Sequence, residues 1–458
     1  MKLMKQKTID TRRSELQNIR KIIIPIILIV LFLTTLNLAQ DKKNLTLDEC
    51  IKISLENSKI LHSSKMKIIS SEAQLSQVNA SRLPSLSLSA SYTRLSEVNP
   101  FEVNTPFGNF VISPSIFDNY NAKLSLQQPL FTGFKLSSSS DIAKYNSLAV
   151  KQDFSKDEQD VIYSVKNAYW NLFLAGKFKE AIDENVQQVK AHLEDIQNFY
   201  KQGLATKNEV LKVEVQLSQA QLNQIDANNS VKLAVVNLDN VMNIPLTTNV
   251  QVQKDIKIEN ENIDELDQLI SKALQNRPEI KSMQYRVDAS KSGITLAQSN
   301  WYPQLFLSGE YLYAKPNQRI LPTENKFNGT WDVTLGVQLN LWNWGATKDQ
   351  TDQAQAQYEQ VKDGYKTLQD GITLEVTQDY YNLIKAKEKV FVTEQGVSQA
   401  EENYRVTDER FKQGLTLNSE LLDAETALMQ AKTNHAQAIV DYELAKALLE
   451  KSTGGKKN

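Results

Sequence analysis

Two periods of apolar and polar residues divide the chain. In one class of segment the period is two. Leu86, Leu88, Ala90 and Tyr92 alternate with Ser85, Ser87, Ser89 and Ser91; Tyr120, Ala122, Leu124 and Leu126 alternate with Asn121, Lys123, Ser125 and Gln127. Leu305, Leu307, Gly309, Tyr311 and Tyr313 share one face of a rougher stretch, and Trp331, Val333, Leu335, Val337, Leu339 and Leu341 alternate with Asp332, Thr334, Gly336, Gln338 and Asn340. Such alternation predicts β-strands with one apolar and one polar face, over about 85–95, 119–130, 304–313 and 330–342. Strands of roughly ten residues with aromatics near their ends have the dimensions of strands that cross a membrane in a barrel.

The second period is 3.5. Val210, Val213, Leu217, Ala220, Gln224, Ala227, Val231, Ala234, Leu238 and Val241 step by three and four alternately, and so do Leu421, Ala424, Leu428, Ala431, His435, Ala438, Tyr442, Ala445 and Leu449. That repeat predicts coiled-coil-like helix packing, close because so many seam residues are alanine. Proline marks where longer helices can run. Beyond the first 39 residues prolines stand at 84, 100, 106, 114, 129, 245, 278, 303, 316 and 322, so none interrupts 130–244 or 323–458. Because proline breaks helix interiors, Lys135–Lys201 and Ala346–Lys412 are each predicted as one helix, about 100 Å long at 1.5 Å per residue. Each ends at a glycine, Gly203 or Gly414, suited to the left-handed position that closes a helix. Two long antiparallel hairpins follow, about 135–243 and 346–451, with Lys-Gln-Gly-Leu at each tip.

The tips expose an internal repeat. A shift of 211 places Lys201-Gln202-Gly203-Leu204 on Lys412-Gln413-Gly414-Leu415 and Asn171-Leu172 on Asn382-Leu383; it also places Glu209, Glu214 and Leu217 on Glu420, Glu425 and Leu428. Upstream the shift is 219, with Leu83-Pro84-Ser85-Leu86 on Tyr302-Pro303-Gln304-Leu305. The register changes between Tyr92 and Tyr120, where the first copy carries extra residues, so Asn99–Pro114 reads as an external loop. The copies define two domains, 40–263 and 264–458, with 245–263 as the linker.

Only four strands per chain cannot close a membrane barrel, and open edges in lipid leave backbone groups unsatisfied. The chain must pool strands with copies of itself. Two copies give eight strands and a filled interior; three give twelve and room for a pore.

Composition narrows the setting. Lys2, Lys5, Lys7, Arg12, Arg13, Arg20 and Lys21 precede the apolar run Ile22–Leu33, and Ala39 follows, which reads as a signal peptide over 1–39. Removing it takes seven bases from 52 and two acids from 54, leaving 45 against 52 and a net charge of −7. No basic stripe points to nucleic acid. The single cysteine, Cys50, excludes a disulfide framework and reads as a buried helix residue. No Walker loop, dinucleotide fingerprint, Gly-x-Ser-x-Gly or His-Glu-x-x-His is present, so no enzyme and no cofactor are expected. His435, on a helix seam opposite Gln224 in the repeat, reads as a register-setting residue rather than a metal ligand.

Together the stretches LTLDECIKISLENSKIL, RLPSLSLSASYT, WYPQLFLSGEYL, PLFTGF and NLWNWG, with the two Gly-Leu tips, resemble the TolC-like outer membrane efflux protein family. The ordered set spans nearly the whole chain after residue 39. It departs where the family usually has aspartate in the exit motif, which here carries Thr132 and Asn343. The resemblance implies a mainly α protein with a membrane β-barrel portion. Three protomers would form a twelve-stranded barrel in outer-membrane lipid, continued by a long periplasmic α-helical barrel. It implies an exit duct of a tripartite efflux or type I secretion system, with a periplasmic adaptor and an inner-membrane transporter as partners. A non-pore periplasmic coiled-coil adaptor or structural protein is the alternative; it would need no lipid-facing strands.

The resemblance also places Glu420 and Asp423 where acidic constriction rings often stand. Their spacing of three puts both on one helix face, although acids at a helix N-terminus are favoured by its dipole in any case. Glu209, the repeat partner of Glu420, is a further gate candidate, but Thr206-Lys207-Asn208-Glu209 also spells a capping box. Gly203, Leu204, Gly414 and Leu415 are adaptor-docking candidates, against the plainer reading of helix C-cap contacts.

Overall fold

The structure, a computed structural model, describes residues 43–248, 250–253 and 263–455. The expected signal peptide and its cleavage site lie outside these residues, as does most of the 245–263 linker. The chain divides into two compact units, and each draws segments from both sequence repeats.

One unit comprises the chain up to Asn57, Ser164–Asn260 and Glu388–Leu444. It opens with β1 (Lys43–Leu45) and α1 (Leu47–Asn57), and β1 pairs in parallel with β6 (Val250–Val252). It takes the second part of α3 (Lys135–Lys201), all of α4 (Lys207–Val241), the end of α7 (Ala346–Lys412) and most of α8 (Asn418–Ser452). Both 67-residue helices therefore begin and end where the proline gaps and tip glycines place them. Trp170, Tyr169 and Phe173 form its main core with Leu45, Cys50, Val165, Leu238, Met242 and Val440. Nearer the tips Val189, Ile196, Val210, Val213, Phe411 and Leu421 form another. Val210, Val213, Ala220, Ala227 and Leu238, members of the 3.5-residue repeat, are buried on α4, and so is Asp239 beside them.

The other unit holds Ser58–Tyr163, Glu261–Lys387 and the chain from Ala445 onward. Its helices include α2 (Lys59–Ala80), α5 (Leu266–Asn276) and α6 (Pro278–Gln298). Buried Arg277 is held by Glu279 at 2.9 Å and Glu375 at 2.5 Å. Asp153 receives Ser282 and Arg286, both at 2.6 Å.

This unit carries an antiparallel sheet in the order β2 (Ser85–Arg94), β5 (Asp118–Thr132), β7 (Gln304–Lys315), β8 (Asn328–Gln338). Register aligns like with like. Leu88 faces Leu124, which faces Tyr311, which faces Trp331; one strand residue along, Ser89 faces Lys123, Leu312 and Thr330 in turn. The alternation seen in sequence thus becomes one apolar face across four strands. Leu86, Leu88, Tyr92, Trp331, Val333, Leu335 and Val337 on it are exposed. Lys123 and Glu310 pair at 2.6 Å on the other face. Terminal in this order, β2 and β8 each leave one edge unpaired among the described residues.

Two details differ from the sequence reading. Alternation runs on to Leu341, yet β8 stops at Gln338, opposite the first residue of β7, Gln304. Pairing, not periodicity, ends a strand, and among the described residues none pairs with the chain past Gln338. The 99–114 loop also contains a hairpin of its own, β3 (Phe101–Thr105) against β4 (Gly108–Ser113).

The repeat extends to the backbone. Sheet turns into helix through two consecutive left-handed residues in both copies, Gly133 (φ 60°) and Phe134 (φ 69°), then Trp344 (φ 59°) and Gly345 (φ 85°). Glycine is required at 133, where a Cβ would press into the Ser299 carbonyl and the Tyr302 side chain.

Candidate functional site

The candidate residues converge on the two hairpin tips, both within the first unit described. Each long helix ends in a Schellman motif. Gly203 takes φ 76° and Gly414 φ 71°. The Leu204 N–H donates to the Phe199 carbonyl at 2.8 Å and the Gly203 N–H to Tyr200 at 3.0 Å; the Leu415 N–H donates to Arg410 at 2.8 Å and the Gly414 N–H to Phe411 at 2.9 Å. Backbone bonds close both ends, and at the second the Arg410 guanidinium also donates to the Leu415 carbonyl at 3.4 Å. The leucine side chains stay out: Leu204 is 73% exposed and Leu415 62%. A leucine that merely covered a helix end would be buried by it.

The return helices start differently. In α4 the capping box is complete. Thr206 donates its N–H and hydroxyl to the Glu209 carboxylate at 2.6 and 2.8 Å, and the Glu209 N–H donates to Thr206 Oγ1 at 3.3 Å. The Thr206 backbone N–H, with its hydroxyl, holds the Glu209 carboxyl below the usual glutamate range. In α8 Leu417 occupies the corresponding position, and the Thr416 hydroxyl donates to Glu420 instead. Glu420 and Asp423 are both exposed, one turn apart on α8. Glu209 belongs to the other hairpin and is already engaged in its cap.

Inward of the tips lies a pair the sequence reading passed over. His192 on α3 and Glu425 on α8 are each about 1% exposed at the side chain, with Nδ1 and Oε1 3.3 Å apart and without hydrogen-bond geometry. The His192 ring meets Phe411 edge-on at 4.9 Å. Two turns on, Lys432 reaches Glu184 at 2.8 Å. Burial, then the charges of Asp408 and Glu425, pushes the neighbouring Tyr404 phenol up to about 12. Spacing gave no warning, since His192 and Glu425 lie on different hairpins. His435 stands opposite Thr393, Nδ1 to Oγ1 3.1 Å, within its own hairpin.

The sequence profile of the outer membrane efflux protein family matches residues 50–243 and again 269–455. The chain belongs to the outer membrane efflux protein family. The double match follows the two repeats. The alkaline protease secretion protein AprF of Pseudomonas aeruginosa is 25% identical over 341 residues, covering 73% of this chain and 69% of that protein. Outer membrane protein TolC of Vibrio cholerae is 21% identical over 315 residues, covering 69% and 72% respectively. Among solved structures, the outer membrane protein VceC of Vibrio cholerae aligns with a TM-score of 0.75 at 19% identity, covering 90% of this chain and 97% of that one. The open-state outer membrane channel MtrE of Neisseria gonorrhoeae aligns at 0.73 and 18% identity, covering 89% of each chain. These structures share the fold of this family member. Membership places the protein in the outer membrane, in a family of efflux channels.

Proposed function

We propose that three copies of the chain pool their sheets into a twelve-stranded outer-membrane barrel, and that their helices continue it as a duct across the periplasm. One observation carries this reading: a four-stranded sheet with a largely apolar, exposed face and, among the described residues, two unpaired edges. Such a sheet is unstable in water and in lipid until its edges are closed by others like it. A non-pore adaptor would have no use for it.

Relatives are named for secretion of proteases and for toxin and drug export. By the same logic this chain serves as the exit duct of a tripartite efflux or type I secretion system, receiving cargo from an inner-membrane transporter through a periplasmic adaptor. Exposed Leu204 and Leu415, each presented by a rigid glycine-closed turn, are the adaptor's contact, six per trimer. Glu420 and Asp423 line the periplasmic end of the duct, and Glu209, fixed and ionised by its cap, adds its charge to the same ring. Threefold crowding of carboxylates favours cations at the mouth.

Single-channel conductance in planar bilayers tests this. The expected result is a small, cation-preferring conductance that grows and loses its preference in a Glu420→Ala/Asp423→Ala variant. Glu209→Gln, which can keep the capping pattern, should reduce the preference without a change in melting temperature. Conductance indifferent to all three changes would remove the gate from the tips. Protein that is folded and inserted yet never conducts, in either form, would overturn the duct.

A further inference from the structure

At the end of the sheet away from the long helices, the loop between β7 and β8 is tied down. Asn317 is buried, and its side-chain amide donates to the Asn328 carbonyl and to Thr330 Oγ1, both at 3.1 Å. Its Oδ1 accepts the Arg319 N–H at 3.0 Å, and the Arg319 guanidinium reaches Asp332 at 2.5 Å. Thr330 and Asp332 both belong to the polar face, Thr330 in line with Lys123 and Asp332 with Glu310. Among the described residues of the four strands Ala314 alone is buried, and it lies on that face too. The first turn of the loop therefore folds over the polar face. Its last residue, Phe327, turns the other way and stacks on Tyr313 at 5.2 Å.

We propose that this loop is a size filter at the outer mouth of the duct: Asn317 and Arg319 latch it to the lumen wall, and three copies together exclude bulky solutes. The inference rests on the barrel reading above, in which the polar face lines the lumen and the end of the sheet away from the helices is the external one.

The strand register explains why the latch closes. Glu310 and Asp332 stand directly opposite each other on neighbouring strands. Like charges in that position repel. Lys123 pairs with Glu310 at 2.6 Å from the strand beyond, whereas the base paired with Asp332 is Arg319 of the loop. Lifting the loop would leave two facing carboxylates without the second base. An exposed ion pair by itself is weak, but Asn317 pins the same turn through three hydrogen bonds. Latched, the row of Lys123, Glu310, Asp332 and Arg319 carries no net charge, so the mouth sorts by size rather than by sign. Residues on the lumen face of a barrel are the ones that tune what passes.

A lumen thiol in the full-length protein tests the filter. Gln127 lies on the polar face, two residues deeper than the Glu310–Asp332 pair. In intact cells, Gln127→Cys is expected to react with short maleimides and to exclude those carrying long polyethylene glycol chains, the unsubstituted protein serving as the blank. Adding Asn317→Ala or Arg319→Ala should shift the size limit upward. The exchanged pair Arg319→Asp with Asp332→Arg should return it to the parent value, which a loop that was merely damaged would not do. In planar bilayers Arg319→Ala should raise the cation preference, Asp332→Asn should lower it, and Asn317→Ala should leave it unchanged. A parent without a size limit, or a limit that neither loop substitution moves, overturns the filter and leaves the duct standing. A thiol at position 127 that no reagent reaches, with or without the loop substitutions, in protein recovered from the outer membrane, overturns the lumen assignment and the duct with it.

Discussion

Asp239, on α4, is wholly buried, and neither carboxylate oxygen finds a partner. Burial raises its pKa from 3.8 to about 6. The sign of the consequence follows from proton counting. Between pH 4 and 6 the folded chain holds this proton and the unfolded chain has released it, so stability is lost as pH rises through that window. Two pKa units correspond to about 3 kcal/mol. Asp239→Asn is therefore expected to raise the melting temperature at pH 7.5, by on the order of 1–3 kcal/mol of stability, since a buried amide keeps part of the polar cost. At pH 4 the gain should vanish. Melting curves at both pH values decide it; an equal shift at both would mean that the carboxylate is not carrying a buried charge. At this same scale the sequence was partly legible. The capping box at Thr206 and Glu209 was spelled in order, because a cap is a contact over three residues. His192 and Glu425, 233 positions apart, carry no local signal of their meeting.

At the scale of elements, the legible parts were those governed by period and by backbone-breaking residues. Proline gaps and tip glycines located both long helices to the residue. The end of β8 was not legible, since alternation continues through Leu341 while strand pairing stops at Gln338. The two faces of the sheet lead to a direct test. Leu88 on the apolar face should not tolerate charge: Leu88→Lys costs about 2–4 kcal/mol if it lies near the bilayer midplane, and should lower the yield of inserted protein. Ser87→Lys, one residue away on the polar face, should insert like the parent. Recovery in the outer-membrane fraction measures both, and equal recovery would mean that Leu88 does not meet lipid.

For the whole molecule, the proposed pooling of sheets predicts that a chain whose described sheet ends in two open edges draws stability from partner copies by mass action. The melting temperature of the detergent-solubilised protein should accordingly rise with protein concentration, and a series over two decades of dilution measures it. A concentration-independent transition would mean that the single chain is self-sufficient, against the pooled barrel. On the trimeric reading proposed above, two similar hairpins per chain let three chains present six similar tips.

By itself the sequence determined what depends on neighbours along the chain: the helices, because proline and glycine act on local backbone; the strand faces, because side chains alternate every two residues; and the internal repeat with its tips. Only the tertiary structure decided what depends on residues distant in sequence. It set the strand order and its two open edges, joined His192 to Glu425, left Asp239 without a partner, and kept Leu204 and Leu415 exposed. Those outcomes turn on which surfaces meet, and periodicity specifies a face without naming its partner.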